Sequence, residues 1–212
     1  MVIIVLASSS PRRRELLEKI GLEPLVMEPP SWVENVSSSD ARFTAMLRAS
    51  HKASYVYKRL TRRVKNDFVV IGADTIIVLD DQFIGKPRDV NEAYVILKTL
   101  SGRWHKVYTG LAIISYVNGR TQYIIDVGEA LVKFKELSEE EIKWYISTGE
   151  PFGAAGGYRI QDLGGLLVEE VHGDYYSVVG LPLSKLYTHL LRLGILGHRL
   201  MSLNTYKLRS YI

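Results

Sequence analysis

The first third of the chain alternates between apolar runs and amphipathic stretches. The run 2–7 predicts a strand, and after a serine-rich break the pattern predicts a helix over 11–20 that ends at Gly21. Apolar residues at helical spacing indicate a longer helix over 39–64. The run 68–79 predicts a strand pair or one long bent strand. This alternation is typical of an α/β fold.

The rest of the chain continues the alternation and contains two clear local signals. Asn118-Gly119 predicts a hairpin turn, and Ser138 followed three residues later by Glu141 predicts a capping box at a helix start. The predicted elements are a helix at 91–100, strands at 107–116 and 121–134, a helix at 138–147, a strand at 166–171 and a helix at 182–193. We therefore expect a mixed twisted sheet flanked by helices, with two lobes around a central cleft.

Domain organisation and composition restrict the function. We expect a single domain over 1–195 and a C-terminal tail over 196–212. No apolar run approaches the roughly 18 residues of a membrane span. The 212 residues contain no cysteine, which excludes disulfides, thiolate zinc sites and cysteine nucleophiles and is compatible with a reducing cytoplasm. The net charge of +4 admits a nucleotide, a nucleic acid or a membrane surface as partner.

The segment between the first strand and the first helix has the composition of a phosphate site. Three serines lead to Pro11 at the expected first helical position, and Arg12, Arg13 and Arg14 fill the first turn. Cations at this end of a helix oppose its dipole, so an incoming polyanion would explain them better than local stability. The alternative is a capped surface helix with a solvated basic turn.

Asp74 is the strongest candidate for chemistry. It interrupts a run that is too apolar for a solvated edge, so its carboxylate should be paired or functional. The alternatives are a structural aspartate at a bend, a general base, a metal ligand, or both of the last two. Glu34, in an irregular segment, is either a second carboxylate near a metal or a solvated residue.

The other polar candidates indicate a function only when they are considered as a set. Lys52 is expected to emerge from a buried helix face, and Lys86 lies in the turn Gly85-Lys-Pro87. With the N-terminal arginines they offer cations to a polyphosphate. Gln161 follows a glycine pair, and its amide could read a base edge or satisfy loop backbone. A nucleophile elbow, a phosphate-binding P-loop and a dinucleotide-binding glycine motif are all absent from the sequence.

These pieces, in this order, resemble the Maf family of nucleoside triphosphate pyrophosphatases over nearly the whole chain. The motifs that carry the resemblance are Ser8-x-Ser-Pro-Arg-Arg13, Lys52-Ala53, Gly72-Ala-Asp-Thr75, Gly85-Lys-Pro87, Leu100-Ser-Gly102, Thr109-Gly110, Ala155-Gly-Gly-Tyr-x-Ile-Gln161 and Gly173-Asp-Tyr175. The resemblance implies a fold similar to inosine triphosphate pyrophosphatases. It also implies hydrolysis of a nucleoside triphosphate to monophosphate and pyrophosphate with a divalent cation, Mg²⁺ or Mn²⁺.

The resemblance also implies roles for individual residues. Asp74 would be the proton acceptor, and Glu34 falls where the family places a further acidic residue. We expect these two carboxylates, Glu34 and Asp74, to hold the metal. The residues implied for substrate binding and specificity are Ser8, Arg12, Arg13, Lys52, Thr75, Lys86 and Gln161. Three of these, at positions 12, 75 and 161, match the branch of the family that acts on dTTP and UTP.

The chain departs from the family pattern at two places. Gly153-Ala154 stands where the family usually has Asp-Lys, and Arg159 replaces the usual small residue. The departures bear on rate and nucleotide preference more than on reaction class.

We expect a cytoplasmic enzyme acting on dTTP, UTP or modified pyrimidine triphosphates. The alternatives are a pyrophosphatase for 7-methylguanosine or other purine triphosphates and a non-catalytic nucleotide-binding regulator of cell division. We expect neither nucleic acid nor a membrane as partner. The sequence leaves open whether the protein is a monomer or a homodimer.

Overall fold

The computed structural model describes residues 2–196, and the sheet within this range is mixed. Its strands are β1 (Ile3–Leu6), β2 (Leu25–Val26), β3 (Phe68–Leu79), β4 (Gln82–Ile84), β5 (Trp104–Val117), β6 (Arg120–Phe134) and β7 (Val168–Gly173). The helices are α1 (Pro11–Lys19), α2 (Ala41–Leu60), α3 (Val90–Leu100), α4 (Glu139–Ser147), α5 (Tyr175–Val179) and α6 (Leu183–Arg192). The expected α/β class, a mixed sheet flanked by helices, is confirmed.

The strand order is β2-β1-β3-β5-β6-β7, with β4 added to β3. One edge of β3 is paired in two separate places. β1 runs parallel to it as far as Ile71, and β4 pairs with it from Ile77 onward. The stretch 72–76 has β5 on its other side but no strand on this edge among the described residues. This gap leaves open space beside the centre of β3.

Two apolar cores lie on one face of the long strands. Val69, Ile71 and Ala73 of β3 belong to the first core, which also contains residues of α1 and α6. Ile77 and Leu79, on the same face by alternation, belong to the second core with residues of α3 and α4. The two cores form the two lobes expected from the sequence, and they separate at the level of the gap in β3.

Helix α2 covers the opposite face of the sheet at very short range. A Cβ atom on Gly72 would lie 2.5 Å from the Ala49 carbonyl oxygen, and one on Gly110 would lie 2.1 Å from that of Ala45. Both glycines are therefore required for contact between α2 and the sheet. The close approach brings the middle of α2 against the gap in β3.

Local signals in the sequence were largely confirmed. Asn118 and Gly119 have φ values of 50° and 72°, as a hairpin turn of this type requires, and the Ser138–Glu141 capping box is present. Pro11 is the first residue of α1, but its N-cap Ser10 makes no side-chain cap bond.

Some predicted boundaries were wrong. The helix predicted over 39–64 spans only Ala41–Leu60, because Asp40 caps it by accepting from two backbone N–H groups. Of the two alternatives predicted for residues 68–79, the single long strand is the one that forms, and β5 pairs with it from Phe68 to Val78. The short α5 was not predicted. No helix among residues 2–196 combines the length and the apolarity that crossing a membrane requires. Of the tail predicted at 196–212, residues 197–212 lie outside the described range.

Candidate active site

A cleft of about 340 Å³ opens beside the gap in β3, beyond the end of β1 and at the N-terminus of α1. It is lined from both lobes and by the segment that precedes α2. All nine residues proposed from the sequence line it: Ser8, Arg12, Arg13, Glu34, Lys52, Asp74, Thr75, Lys86 and Gln161. The structure thus brings the whole predicted set together, while the role of each residue stays a prediction.

Arg13 lies buried at the floor of the cleft and is held by three hydrogen bonds. It donates to the Gly180 carbonyl from Nε (2.8 Å), to Ser8 Oγ from Nη1 (2.9 Å) and to Thr75 Oγ1 from Nη2 (3.3 Å). Burial lowers the pKa of Arg13, while the Asp74 carboxylate opposes that shift. A guanidinium fixed in this way offers a preorganised positive charge to an anionic ligand.

Thr75 is oriented by a chain of hydroxyl groups. The Thr109 hydroxyl donates to the Ser177 carbonyl at 2.7 Å, so it must accept from Thr75 across their 2.9 Å contact. The Thr75 hydroxyl consequently donates a hydrogen bond to Thr109 and accepts one from Arg13. Thr75 therefore holds Arg13 in place at the floor of the cleft and is also a candidate specificity residue.

The ammonium group of Lys52 lies between two carboxylates. Its Nζ atom is 2.6 Å from Glu34 Oε1 and 2.6 Å from Asp74 Oδ1. Burial raises the pKa of Glu34, but the hydrogen bond and the charge of Lys52 outweigh it, so the pKa lies below its ordinary value. Lys52 and Asp74 are only 5% and 6% exposed, which means that this pair is poorly screened by water. The expectation that a carboxylate in this apolar strand is paired is confirmed.

A second cation near Asp74 was missed in the sequence. Arg48 Nη1 lies 3.9 Å from Asp74 Oδ2, while its Nε donates to the Val36 carbonyl. Arg48 precedes Lys52 by four residues on α2, so the two share a helix face. That spacing was the available signal, and it was informative only once Lys52 had been placed against the sheet.

Arg12 and Gln161 both line the cleft, and Glu15 interacts with each of them. Burial and, next, the positive charge of Arg159 lower the pKa of Arg12, and the charges of Asp162 and Glu15 oppose the shift. Gln161 Nε2 makes a long contact of 3.5 Å with Glu15 Oε2. This part of the cleft therefore carries polar and basic groups distinct from those around Asp74.

Arg14, the third arginine in the first turn of α1, is not among the residues that line the cleft. Its side chain is exposed and pairs with Glu18 one turn later at 2.7 Å, because position 14 points away from the cleft on α1. The departures from the family pattern, at Gly153, Ala154 and Arg159, all line the cleft.

The carboxylates of the cleft are the groups available to hold a divalent cation. No cluster of three or more potential metal-ligating side chains was found in the described part of the chain. Glu34 and Asp74, however, lie within about 5 Å of each other across Lys52 Nζ. Mg²⁺ is commonly bound by one or two carboxylates together with substrate phosphates, so two hard oxygen donors beside a phosphate site fit it.

Comparison with known proteins gives a consistent result. A sequence model of the family described as "Maf-like protein" matches residues 3–193. A dTTP/UTP pyrophosphatase of Thermoanaerobacter sp. (strain X514) is 48% identical, over 89% of this chain and 95% of the relative.

Two further relatives carry the same name. They are from Thermosipho africanus (44% identical, 91% of this chain, 94% of the relative) and Aquifex aeolicus (42%, 92% and 97%). A solved structure, the nucleoside-triphosphatase or dITP/XTP pyrophosphatase of Mycobacterium abscessus, aligns with 64% of this chain and 74% of its own. With 11% identity and a TM-score of 0.33, this last similarity is too weak to carry an argument.

Proposed function

The chain belongs to the Maf family, and we propose that it hydrolyses dTTP and UTP to the corresponding monophosphate and pyrophosphate. Relatives at 42–48% identity that bear the name dTTP/UTP pyrophosphatase support the activity. One structural observation supports it most directly: the buried carboxylate of Asp74 faces a cleft that is otherwise rich in cations.

The cleft provides positive charge where a triphosphate would need it. Arg13 is fixed at the floor, and Lys52 and Lys86 lie on the walls. The N-terminus of α1 and the preceding serines add backbone N–H groups and hydroxyls. Such fixed donors would stabilise the charge that moves onto the pyrophosphate as it leaves.

Asp74 is the group proposed to handle the proton. Its carboxylate would accept a proton from a water molecule, whose oxygen attacks the α-phosphorus. The bond from this phosphorus to the oxygen that bridges to the β-phosphorus then breaks, and pyrophosphate leaves with the electron pair. Lys52 donates a hydrogen bond to Asp74 Oδ1 and thereby fixes the direction of the carboxylate.

We also propose a divalent cation, Mg²⁺ or Mn²⁺, held by Glu34 and Asp74 together with the substrate phosphates. When bound, the cation would neutralise phosphate charge and polarise the reacting oxygens. Lys52 lies between the two carboxylates, so its ammonium group would have to share them with the cation or turn towards the phosphates.

Product analysis tests this proposal. Purified protein is incubated with UTP, dTTP, CTP, ATP, GTP and 7-methyl-GTP, with Mg²⁺ or Mn²⁺ or with a chelator, and the products are separated. The variants are Asp74→Asn and, as a matched control, Asp81→Asn, which makes the same change in an exposed turn outside the cleft. Asn tolerates the positive φ of that turn.

We expect UMP and pyrophosphate from UTP, loss of activity with chelator, and a fall of at least about a hundredfold in turnover for Asp74→Asn. Asp81→Asn should match the unmodified protein. Release of orthophosphate and UDP, or no product from either UTP or dTTP, would contradict the proposed reaction. Near-normal turnover of Asp74→Asn would contradict the role of Asp74.

Three finer features belong to the proposal. They are action on modified pyrimidine triphosphates, a cytoplasmic location and a homodimer as the assembly to be tested against a monomer. A chain without cysteine is compatible with a reducing compartment. Light scattering and a panel of 5-substituted uridine triphosphates would examine the assembly and the substrate range.

A further inference from the structure

Residues 31–38, called the Glu34 segment below, lie along helix α2 and contact it at regular intervals. Every second residue of the segment meets a residue of the helix, and the pairs are Trp32–Tyr55, Glu34–Lys52, Val36–Arg48 and Ser38–Thr44. The helix positions 44, 48, 52 and 55 follow one another at spacings of three or four residues, so they form a single stripe on α2. The Glu34 segment therefore runs along this stripe in the direction opposite to the helix.

Arg48 differs from the other residues of the stripe because it joins the segment to Asp74 through the segment's backbone. Its Nε donates to the Val36 carbonyl at 3.0 Å, and its Nη1 lies 3.9 Å from Asp74 Oδ2. The planar guanidinium group presents several N–H donors in fixed directions, which lets one side chain make both contacts. The Arg48 side chain is 27% exposed, so its charge is screened less than that of a surface arginine.

Arg48 does not reach the substrate site itself. It is not among the residues that line the cleft, so it acts on a bound nucleotide only through the groups that it contacts. Within residues 2–196, the side-chain hydrogen bond that Asp74 accepts comes from Lys52 and uses Oδ1. The second oxygen, Oδ2, is thus the one left to accept a proton from water. Arg48 lies beside this oxygen and limits the rotation of the carboxylate.

The link through Arg48 gains importance when the cleft is occupied. Lys52 lines the cleft, and a cation held by Glu34 and Asp74 would compete with its ammonium group for both carboxylates. The contacts of Arg48 with Val36 and Asp74 lie outside the cleft lining, so an occupied cleft leaves them in place. Arg48 is then the positively charged group that still joins the Glu34 segment to β3.

We propose that Arg48 is a positioning residue: by holding the Val36 carbonyl and Asp74 Oδ2, it fixes the distance between the carboxylates of Glu34 and Asp74. The inference rests on the proposed function, because that function assigns the divalent cation to these two carboxylates and the proton to Asp74. Groups that orient metal-binding side chains from behind set the affinity of a metal site as well as its activity. Arg48 thereby affects both cation binding and turnover.

The test compares three variants with the unmodified protein. Arg48→Met keeps an unbranched side chain and removes both contacts. Arg48→Lys keeps the charge, but its single nitrogen replaces two that point in different directions. Arg42→Met is the matched control, since Arg42 is another arginine of α2 and pairs with Glu129 at 3.0 Å outside the cleft. For each protein, kcat, KM for UTP and the Mn²⁺ concentration that gives the half-maximal rate are measured.

We expect Arg48→Met to lower kcat about tenfold or more and to raise the half-saturating Mn²⁺ concentration by a similar factor, with a smaller change in KM for UTP. Arg48→Lys should fall between Arg48→Met and the unmodified protein, and Arg42→Met should match the unmodified protein. A loss of folded protein would lower kcat without changing the half-saturating Mn²⁺ concentration. An unchanged Mn²⁺ dependence in Arg48→Met therefore overturns the inference, whether or not kcat falls.

Hydrogen–deuterium exchange provides a readout that needs neither turnover nor metal. Amides of the Glu34 segment are hydrogen-bonded, among them Asn35 to the Trp32 carbonyl, so their exchange reports opening of the segment. Without metal or nucleotide, peptides covering 31–38 should exchange at least about threefold faster in Arg48→Met than in Arg42→Met. If the unmodified protein hydrolyses no nucleotide, the proposed function fails, and this difference still shows that Arg48 holds the segment. If UTP is hydrolysed but exchange is equal in all four proteins, the proposed function stands and the inference is overturned.

Discussion

His105 should make the stability of the protein depend on pH in a defined range. Its ring is 1% exposed, its Nε2 lies 2.8 Å from the Tyr158 hydroxyl, and it packs edge-on against Phe134 and Tyr158. Burial lowers the pKa of His105 from 6.5 to about 4. Because Tyr158 lines the cleft, this buried histidine also supports one wall of the candidate site.

The magnitude follows from the two pKa values. Between pH 6.5 and about 4 the unfolded chain binds a proton at His105 that the folded protein does not, so the free energy of unfolding falls as the pH falls. At 1.36 kcal/mol per pKa unit the full loss is about 3 kcal/mol, and about 2 kcal/mol of it is reached at pH 5. Below pH 4 this residue contributes no further loss.

Urea unfolding at pH 7 and pH 5 measures the effect. The unmodified protein is compared with His105→Phe and with His51→Gln, a change at an exposed histidine. The quantity of interest is the change in the free energy of unfolding between pH 7 and pH 5. The absolute values are less informative, because His105→Phe also leaves the Tyr158 hydroxyl without its partner at both pH values. We expect His105→Phe to lose about 2 kcal/mol less than the other two proteins on going to pH 5. Equal losses in all three would refute the reasoning.

Two further predictions concern helix α2, the first its close contact with the sheet and the second the effect of its Lys52 on Glu34. Gly110→Ala should destabilise the fold by about 1–3 kcal/mol or more in urea unfolding, since the new Cβ would lie 2.1 Å from the Ala45 carbonyl oxygen. Gly85→Ala, where nothing lies within 4 Å, is the control, and similar losses in both variants would contradict the argument. Lys52→Met should raise the pKa of Glu34 in an NMR titration, because both the hydrogen bond and the charge that lower it are removed. An unchanged pKa would show that Lys52 does not control this carboxylate.

Local sequence patterns predicted those parts of the fold that short-range interactions decide. The Asn118-Gly119 turn and the Ser138–Glu141 capping box involve residues close in sequence, and both formed as expected. The bounds of α2 differed from the prediction, since Asp40 caps the helix at its start and the helix ends at Leu60. The two-residue strand β2 was not predicted either, since it is defined by its pairing with β1 rather than by a local pattern.

For the candidate site, the sequence alone determined which residue types are available. It supplied a carboxylate within an apolar strand, serines and arginines at a helix start, and a glutamine after paired glycines. The ordered motifs were sufficient to indicate the Maf family and the nine cleft residues.

Only the tertiary structure decided which of these groups meet. Lys52 and Asp74 are 22 residues apart, and Glu34 lies 18 residues before Lys52, yet Lys52 contacts both at 2.6 Å. That contact requires a gap in one edge of β3 and a helix packed closely against Gly72 of β3 and Gly110 of β5. Such placements result from packing between distant segments, and short-range patterns in the sequence do not contain them.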